Sequence, residues 1–223
     1  MDILPHYIHQ INPKLKHIYL SFDDAGNLII RSPRISSKEI EQLLLRKSAW
    51  ITRAREKLKE KKGRTGTLDA HSRIYYLGHD YPVSFHEHKK RGISIAFDGE
   101  TFQFGYDRHD PARYTKHLDA FYKKEVQRII PPLVEKWAKR MKLTPQEITF
   151  RKTKRQWGSC SAKNKLSFNT MLCKVPMECI EYVIVHELAH IRYKHHQKPF
   201  WDLVGTYLPD YKQHMQTLKS YTT

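Results

Sequence analysis

Between residues 186 and 201 the chain reads HELAHIRYKHHQKPFW, which sets His186 and His190 four residues apart with Glu187 beside the first. In an α-helix residues i and i+4 share a face, so both imidazoles can aim at one ion. A zinc ion held there lowers the pKa of its water from about 15.7 to about 7, and an adjacent carboxylate can then take the proton. His186 and His190 are therefore candidate ligands and Glu187 the candidate general base. The neighbours Tyr182, Val183, Ile184, Val185, Leu188, Ala189 and Ile191 make this helix apolar nearly all round, as a buried helix is. Two imidazoles and a carboxylate in such surroundings carry a large desolvation cost unless they are paired or bound to metal.

A catalytic zinc site needs a third protein ligand and one open position. No glutamate follows Glu187, so a glutamate on a later helix cannot complete the site. His195, His196, His214, Asp202 and Asp210 remain as candidates. His196 stands ten residues after His186, the spacing of HExxHxxGxxH enzymes. In an unbroken helix its side chain would be rotated roughly 240° from His190, so the helix must end or turn before it. The glycine that makes this turn in metzincins is Tyr193 here, which argues against a metzincin proper.

A second segment, RKTKRQWGSCSAKNKLSFN from Arg151 to Asn169, is predicted to form a basic strand, a tight turn at Gly158 and Ser159, and a return strand. With PMECIEYVIVHELAHI and HHQKPFW, it resembles the YgjP-like family of metal-dependent hydrolases, whose members carry a WGSCS element, an LxxN strand, an HELxH helix and an NHSxxFW tail. The resemblance implies that Trp157, Gly158, Ser159, Cys160 and Ser161 form the WGSCS element, that Asn169 is the strand asparagine, and that His186, Glu187, His190 and His196 form the zinc site. It selects His196 over His195. His195 stands where the family usually has asparagine, and Gln197 where it has serine. RSPRISSKEIEQLLLRKSAWI and YYLGHDYPV also fit the family's layout, so the resemblance covers essentially the whole chain. SprT-like and Wss1-like metalloproteases, several associated with DNA, are similar at greater distance, as an analogy of fold alone.

The net charge of +17 and a pI near 9.7 favour polyanionic partners. Cations cluster at Lys57 to Arg64, His88 to Arg91 and Arg151 to Arg155. The first two clusters read as solvated faces or loop edges. The third leads into the WGSCS element, which makes Lys152, Lys154 and Arg155 candidates for holding the phosphates of a nucleotide or nucleic acid. Ser159, Asn169, Arg192 and Tyr193 are further candidates for substrate contact or for stabilising a transition state. Trp157 and Tyr182 read as packing residues, and Cys160 as a small buried side chain. The three cysteines form no CxxC pair, and the first ten residues have neither a basic nor a continuous apolar region, so reduced thiols and a cytoplasmic location are expected. A mean hydropathy of −0.69 goes with no membrane span.

The elements that must position these groups follow from periodicity. Strands are expected at Tyr7 to Ile11, Ile18 to Phe22 and Leu28 to Arg31, with a turn at Asp23 to Asn27. A helix capped by Ser36 or Ser37 should run to about Lys61, followed by a loop at Gly63 to Asp69. Strands at Ile74 to Leu77, Tyr81 to Phe85, Ile93 to Phe97 and Thr101 to Tyr106 follow, then a long core helix from about Ala112 to Met141 that Pro131 and Pro132 should break or kink. Ile148 to Lys152 and Leu166 to Asn169 should form a small sheet beside the metal helix, and Phe200 to Leu208 a closing helix. The fold class is α+β, with a β-rich region at 1–110 and a mainly helical, zincin-like catalytic region at 111–223.

Two enzymatic readings follow, with one rival. The first is a zinc metallopeptidase using Glu187, its sheet edge holding an extended peptide. The second is a nucleoside triphosphate pyrophosphohydrolase using the same metal, zinc or another divalent ion such as manganese. The rival is a nucleic-acid-binding protein whose metal is structural.

Overall fold

The computed structural model describes residues 5–23, 26–59, 61–63 and 68–222. The chain divides into two compact units, 1–66 and 67–223. Parts of the expected turn at 23–27, of the helix end near 61 and of the loop at 63–69 lie outside the described residues.

In the first unit, strands β1 (Tyr7–Ile11), β2 (Tyr19–Phe22) and β3 (Leu28–Ser32) form a sheet in the order β1-β3-β2, with β1 parallel and β2 antiparallel to the central strand. Helix α1 (Ser37–Lys59) starts at a capping box. The Ser36 hydroxyl accepts from Glu39 N at 3.3 Å, and the Glu39 carboxylate accepts from Ser36 N at 2.8 Å. Ile40, Leu44 and Ile51 recur at helical spacing and pack with Leu28 and Ile30 of β3.

The second unit holds two sheets and four helices around one core. Strands β4 (Arg73–Tyr76), β5 (His79–Glu87), β6 (Ile93–Phe97) and β7 (Phe102–Tyr106) pair in the order β4-β5-β7-β6. Helix α2 (Pro111–Met141) is capped by Asp110, whose carboxylate accepts from Ala112 N at 3.1 Å. Its buried Tyr114, Leu118 and Tyr122 share a core with Phe102 and Phe104 of the sheet, and the Tyr122 hydroxyl donates to the Tyr75 carbonyl at 2.6 Å. The division expected at residue 110 is thus displaced to 66: the aromatic face of β4–β7 has its partner in α2, so sheet and helix belong to one core. The break expected at Pro131 and Pro132 is also absent, and α2 continues through both. Ile129, Ile130, Val134 and Trp137 are buried on either side, so packing outweighs the proline penalty.

Strands β8 (Glu147–Arg151), β9 (Gly158–Cys160) and β10 (Lys165–Asn169) form the small sheet in the order β8-β10-β9, with β8 parallel and β9 antiparallel to β10. The reversal lies not at Gly158 and Ser159, which open β9, but at residues 161–164. There Asn164 takes a left-handed φ of 57° and its N–H donates to the Ser161 carbonyl at 3.0 Å. A 3-10 turn (Thr170–Lys174) leads to α3 (Met177–Arg192), followed by α4 (Lys198–Tyr207) and α5 (Tyr211–Lys219). Among the described residues no helix is long and apolar enough to cross a membrane.

Asn169 ties this corner together. Its side-chain oxygen accepts from Met171 N at 3.0 Å, and its amide donates to the carbonyls of Thr153 at 2.8 Å and Gln156 at 2.9 Å. It is 2% exposed, so replacing it leaves buried polar groups without partners. Asn169→Ala is expected to cost ~2–3 kcal/mol in urea unfolding. A loss below about 0.5 kcal/mol, the level of an ordinary surface change, would remove this anchoring role.

Candidate metal centre

Helix α3 enters without a side-chain cap, after Pro176, and buries Ile180, Val183, Ile184, Val185, Leu188 and Ala189. That burial carries His186, Glu187 and His190 inward. The helix ends at Arg192, because Tyr193 takes an extended backbone with φ −124° while its N–H still donates to the Ala189 carbonyl at 2.9 Å. An extended exit needs no left-handed residue, so tyrosine serves where a glycine turn was the alternative. The chain then folds back, and His196 returns to the helix.

His186, His190 and His196 each offer one nitrogen to a cluster whose atoms all lie within 4.8 Å of one another. The Nε2 of His196 is 3.1 Å from Nε2 of His190 and 3.1 Å from Nε2 of His186. Tetrahedral ligands at 2.0–2.1 Å from zinc stand about 3.3 Å apart, so the spacing suits that ion. The Nδ1 of His190 lies 2.9 Å from the Tyr193 carbonyl, which can only accept. The ring proton therefore sits on Nδ1 and Nε2 presents a lone pair. His186 Nδ1 makes a longer contact, 3.4 Å, with the Tyr182 hydroxyl. With Nε2 of His190 an acceptor, the neighbouring imidazole nitrogens can share a proton in the metal-free protein or turn their lone pairs to a cation, and the all-imidazole donor set fits zinc.

Burial, reinforced by the neighbouring His190 and His196, pushes the His186 imidazole down to about 3. His190 is lowered as well, first by burial. Burial alone pushes the Glu187 carboxyl up to about 8, and the Tyr182 hydroxyl goes up to about 12, again chiefly through burial. Glu187 is 5% exposed and lies directly against Gly158 of β9. A Cβ at Gly158 would stand 2.7 Å from both Cγ and Oε1 of Glu187. The glycine is thus required by the space of the carboxylate, not by a turn.

Three further residues hold the third imidazole, and spacing did not single them out. The Phe200 ring, fully buried, lies with its centroid 4.9 Å from His186, 4.5 Å from His190 and 4.8 Å from His196. Trp201 Nε1 donates to the His196 carbonyl at 3.0 Å, and its ring stacks on Tyr211 at 5.3 Å. Lys194 Nζ reaches across to the β9–β10 turn, donating to Asn164 Oδ1 at 2.6 Å and the Ser161 carbonyl at 3.0 Å. The loop bearing His196 is therefore fixed on one side by an indole and on the other by an ammonium. The legible signal was the Phe-Trp pair four and five residues beyond His196.

Other candidates are not gathered here. His195 is exposed and outside the cluster, its Nδ1 accepting from Gln197 N at 3.3 Å, and Asp202 pairs with Lys198 at 2.7 Å. Lys152 forms an ion pair with Asp119 of α2 at 2.7 Å. The Ser159 hydroxyl accepts from Arg151 at 3.1 Å. Lys154 and Arg155 are exposed on the loop before β9, and the Arg192 guanidinium lies 5.9 Å from the Tyr193 ring centroid. Tyr193 contributes its backbone to the centre through the contact to His190. Cys160, Cys173 and Cys179 are all free thiols.

A family described as "YgjP-like, metallopeptidase domain" matches residues 16–221. A search of curated proteins returns no match. Among solved structures, the crystal structure of the metallopeptidase zymogen of Pyrococcus abyssi abylysin is similar at 20% identity and a TM-score of 0.38, covering 43% of this chain and 100% of that one.

Two outcomes are expected of this geometry. Gly158→Ala should displace the Glu187 carboxylate and lower turnover at least tenfold with divalent-metal binding retained, measured by activity and metal titration on the same sample. Unchanged turnover would show that the carboxylate has room to spare. In metal-free protein, folded Glu187 keeps its proton up to about 8 while the unfolded group loses it near 4.5, so stability falls as pH rises across that interval. Folded His186 stays neutral down to about 3 while the unfolded group protonates near 6.5, so its contribution falls as pH drops below 6.5. The two slopes oppose each other between 4.5 and 6.5, and thermal melts in chelator should show greatest stability there. A stability still rising from pH 6.5 to 8 would contradict a buried, protonated Glu187.

Proposed function

The chain belongs to the YgjP-like family of metallopeptidase domains, and on that premise we propose that it is a zinc-dependent peptidase. The observation that carries this reading is the convergence of three imidazole Nε2 atoms beside a buried carboxylate. His186, His190 and His196 would hold the ion and leave one position open. When bound, zinc would supply Lewis acidity that polarises a carbonyl and lowers the pKa of water to about 7. Glu187 takes the proton from the attacking water and returns it to the leaving amine. In the metal-free protein its apolar surroundings favour the neutral form; a divalent cation beside it would favour the carboxylate, and burial makes that carboxylate the stronger base. Phe200 excludes water from the side of the centre that it covers.

The peptide reading gains support from β9. It is the outer strand of its sheet and carries Gly158 against Glu187, so an extended peptide added along it would bring its carbonyl to the carboxylate. The second reading, nucleoside triphosphate hydrolysis, rests on the charge of +17, while Lys152 and Ser159 are already engaged by protein groups. A purely structural metal is disfavoured by the three-ligand set, since structural zinc sites close with four.

Glu187→Gln should lower cleavage of an unfolded protein ~100- to 10,000-fold while zinc still binds. His196→Ala should weaken zinc itself, read by competition with a chromogenic chelator. Wild type and Glu187→Gln are to be assayed in parallel against an unfolded protein and the four ribonucleoside triphosphates. Glutamate-dependent release of pyrophosphate with protein untouched would replace the peptidase reading by the nucleotide one.

A further inference from the structure

The exposed face of α1 sets an aromatic ring within a row of cations. Arg46, Trp50, Arg53 and Lys57 recur at i, i+4, i+7 and i+11, so they form one stripe about 16 Å long. All four are exposed, Trp50 by 41%. Lys47 lies beside the stripe, and from residue 46 to residue 59 six cations face a single carboxylate, Glu56. Glu56 stands three residues from Arg53, roughly 60° round the helix, and forms no ion pair with it among the described residues. In the second unit Lys136, Lys152, Lys165 and Lys198 are each tied to a carboxylate. Arg46, Arg53 and Lys57 form no ion pair among the described residues.

The aromatic residue within these cations is held in place. The Trp50 ring stacks on Phe22 at 6.3 Å with 28° between the planes, and the Arg55 guanidinium lies 5.9 Å from the Phe22 ring. One face of the indole is supported by its own unit, and the exposed remainder is set among positive charge. Cations spaced along a line with an exposed ring between them suit a polyanion that also offers flat, unpaired bases. A membrane surface would need a broad free apolar face. Here Ile40, Leu44 and Ile51 already belong to the core with β3, and the other exposed large apolar side chain among the described residues of α1, Leu45, points some 140° away from Trp50.

We infer that the Arg46–Trp50–Arg53–Lys57 face of α1 binds single-stranded nucleic acid, with the cations on phosphates and Trp50 stacked on a base. This surface lies in the first unit and does not depend on the metal centre or its substrate. Of its residues only Lys57 belongs to a cluster that sequence alone reads as a solvated face.

The test is fluorescence anisotropy of the full chain with a labelled 15-nucleotide oligothymidine, from 50 to 300 mM salt. Wild type is compared with the Arg46→Ser/Arg53→Ser/Lys57→Ser triple variant, Trp50→Ala and Trp50→Phe. The triple variant should bind at least tenfold more weakly and lose about two from the slope of log affinity against log salt. Trp50→Ala should weaken binding about tenfold and Trp50→Phe much less. The three cation substitutions and Trp50→Phe should leave thermal melts and zinc titration at wild-type values, while Trp50→Ala, which gives up the Phe22 contact, is compared at a temperature where its own melt shows it folded. Equal affinity and slope in the triple variant would overturn the assignment. So would Trp50→Ala binding like wild type, or wild type bound only by vesicles of one-third phosphatidylserine and not by the oligonucleotide.

Discussion

Two imidazoles and a carboxylate on a helix with almost no polar face form the constraint to which the second unit is fitted. Neutral imidazole is the form that burial tolerates, and it is also the form that ligates metal. The same burial that depresses His186 and raises Glu187 therefore prepares both groups for one centre. Everything packed against α3 serves that condition. Phe200 presents carbon to all three rings, and β9 approaches Glu187 so closely that only a glycine fits. The Tyr193 carbonyl fixes which nitrogen of His190 is free.

The small sheet and the ligand loop depend on each other. Asn169 pins the segment before β9 by binding Thr153 and Gln156, which sets where Gly158 begins. Lys194 pins the hairpin that follows to the loop carrying His196. One strand of three residues thus stands between two anchors, with the carboxylate on its inner side.

The ligand helix was legible because its signal is local: the i, i+4 spacing and the apolar flanks are read over two turns of one helix. The α+β class was legible for the same reason, since strand alternation and helical periodicity are properties of short segments. His196 was separable from His195 mainly by family likeness. Adjacent histidines differ by how the chain leaves the helix, and that exit is set by Tyr193, a residue with no intrinsic turn preference. Gly158 looked like a turn because glycine usually marks one, whereas its role is to leave space for a side chain 29 positions later. The same blindness to long-range packing explains the expected break at Pro131 and the boundary at residue 110. Both follow from which aromatic face finds which partner.

Two of the three imidazoles ride on a rigid helix and are preset by its pitch, while the third arrives on a short loop and is exposed. The candidate centre therefore has a preset side and a tethered side. The pitch of α3 fixes the first, while the position of His196 is set by the tethers on its loop, Trp201 and Lys194, so a change at either tether alters the third imidazole and leaves the other two in place.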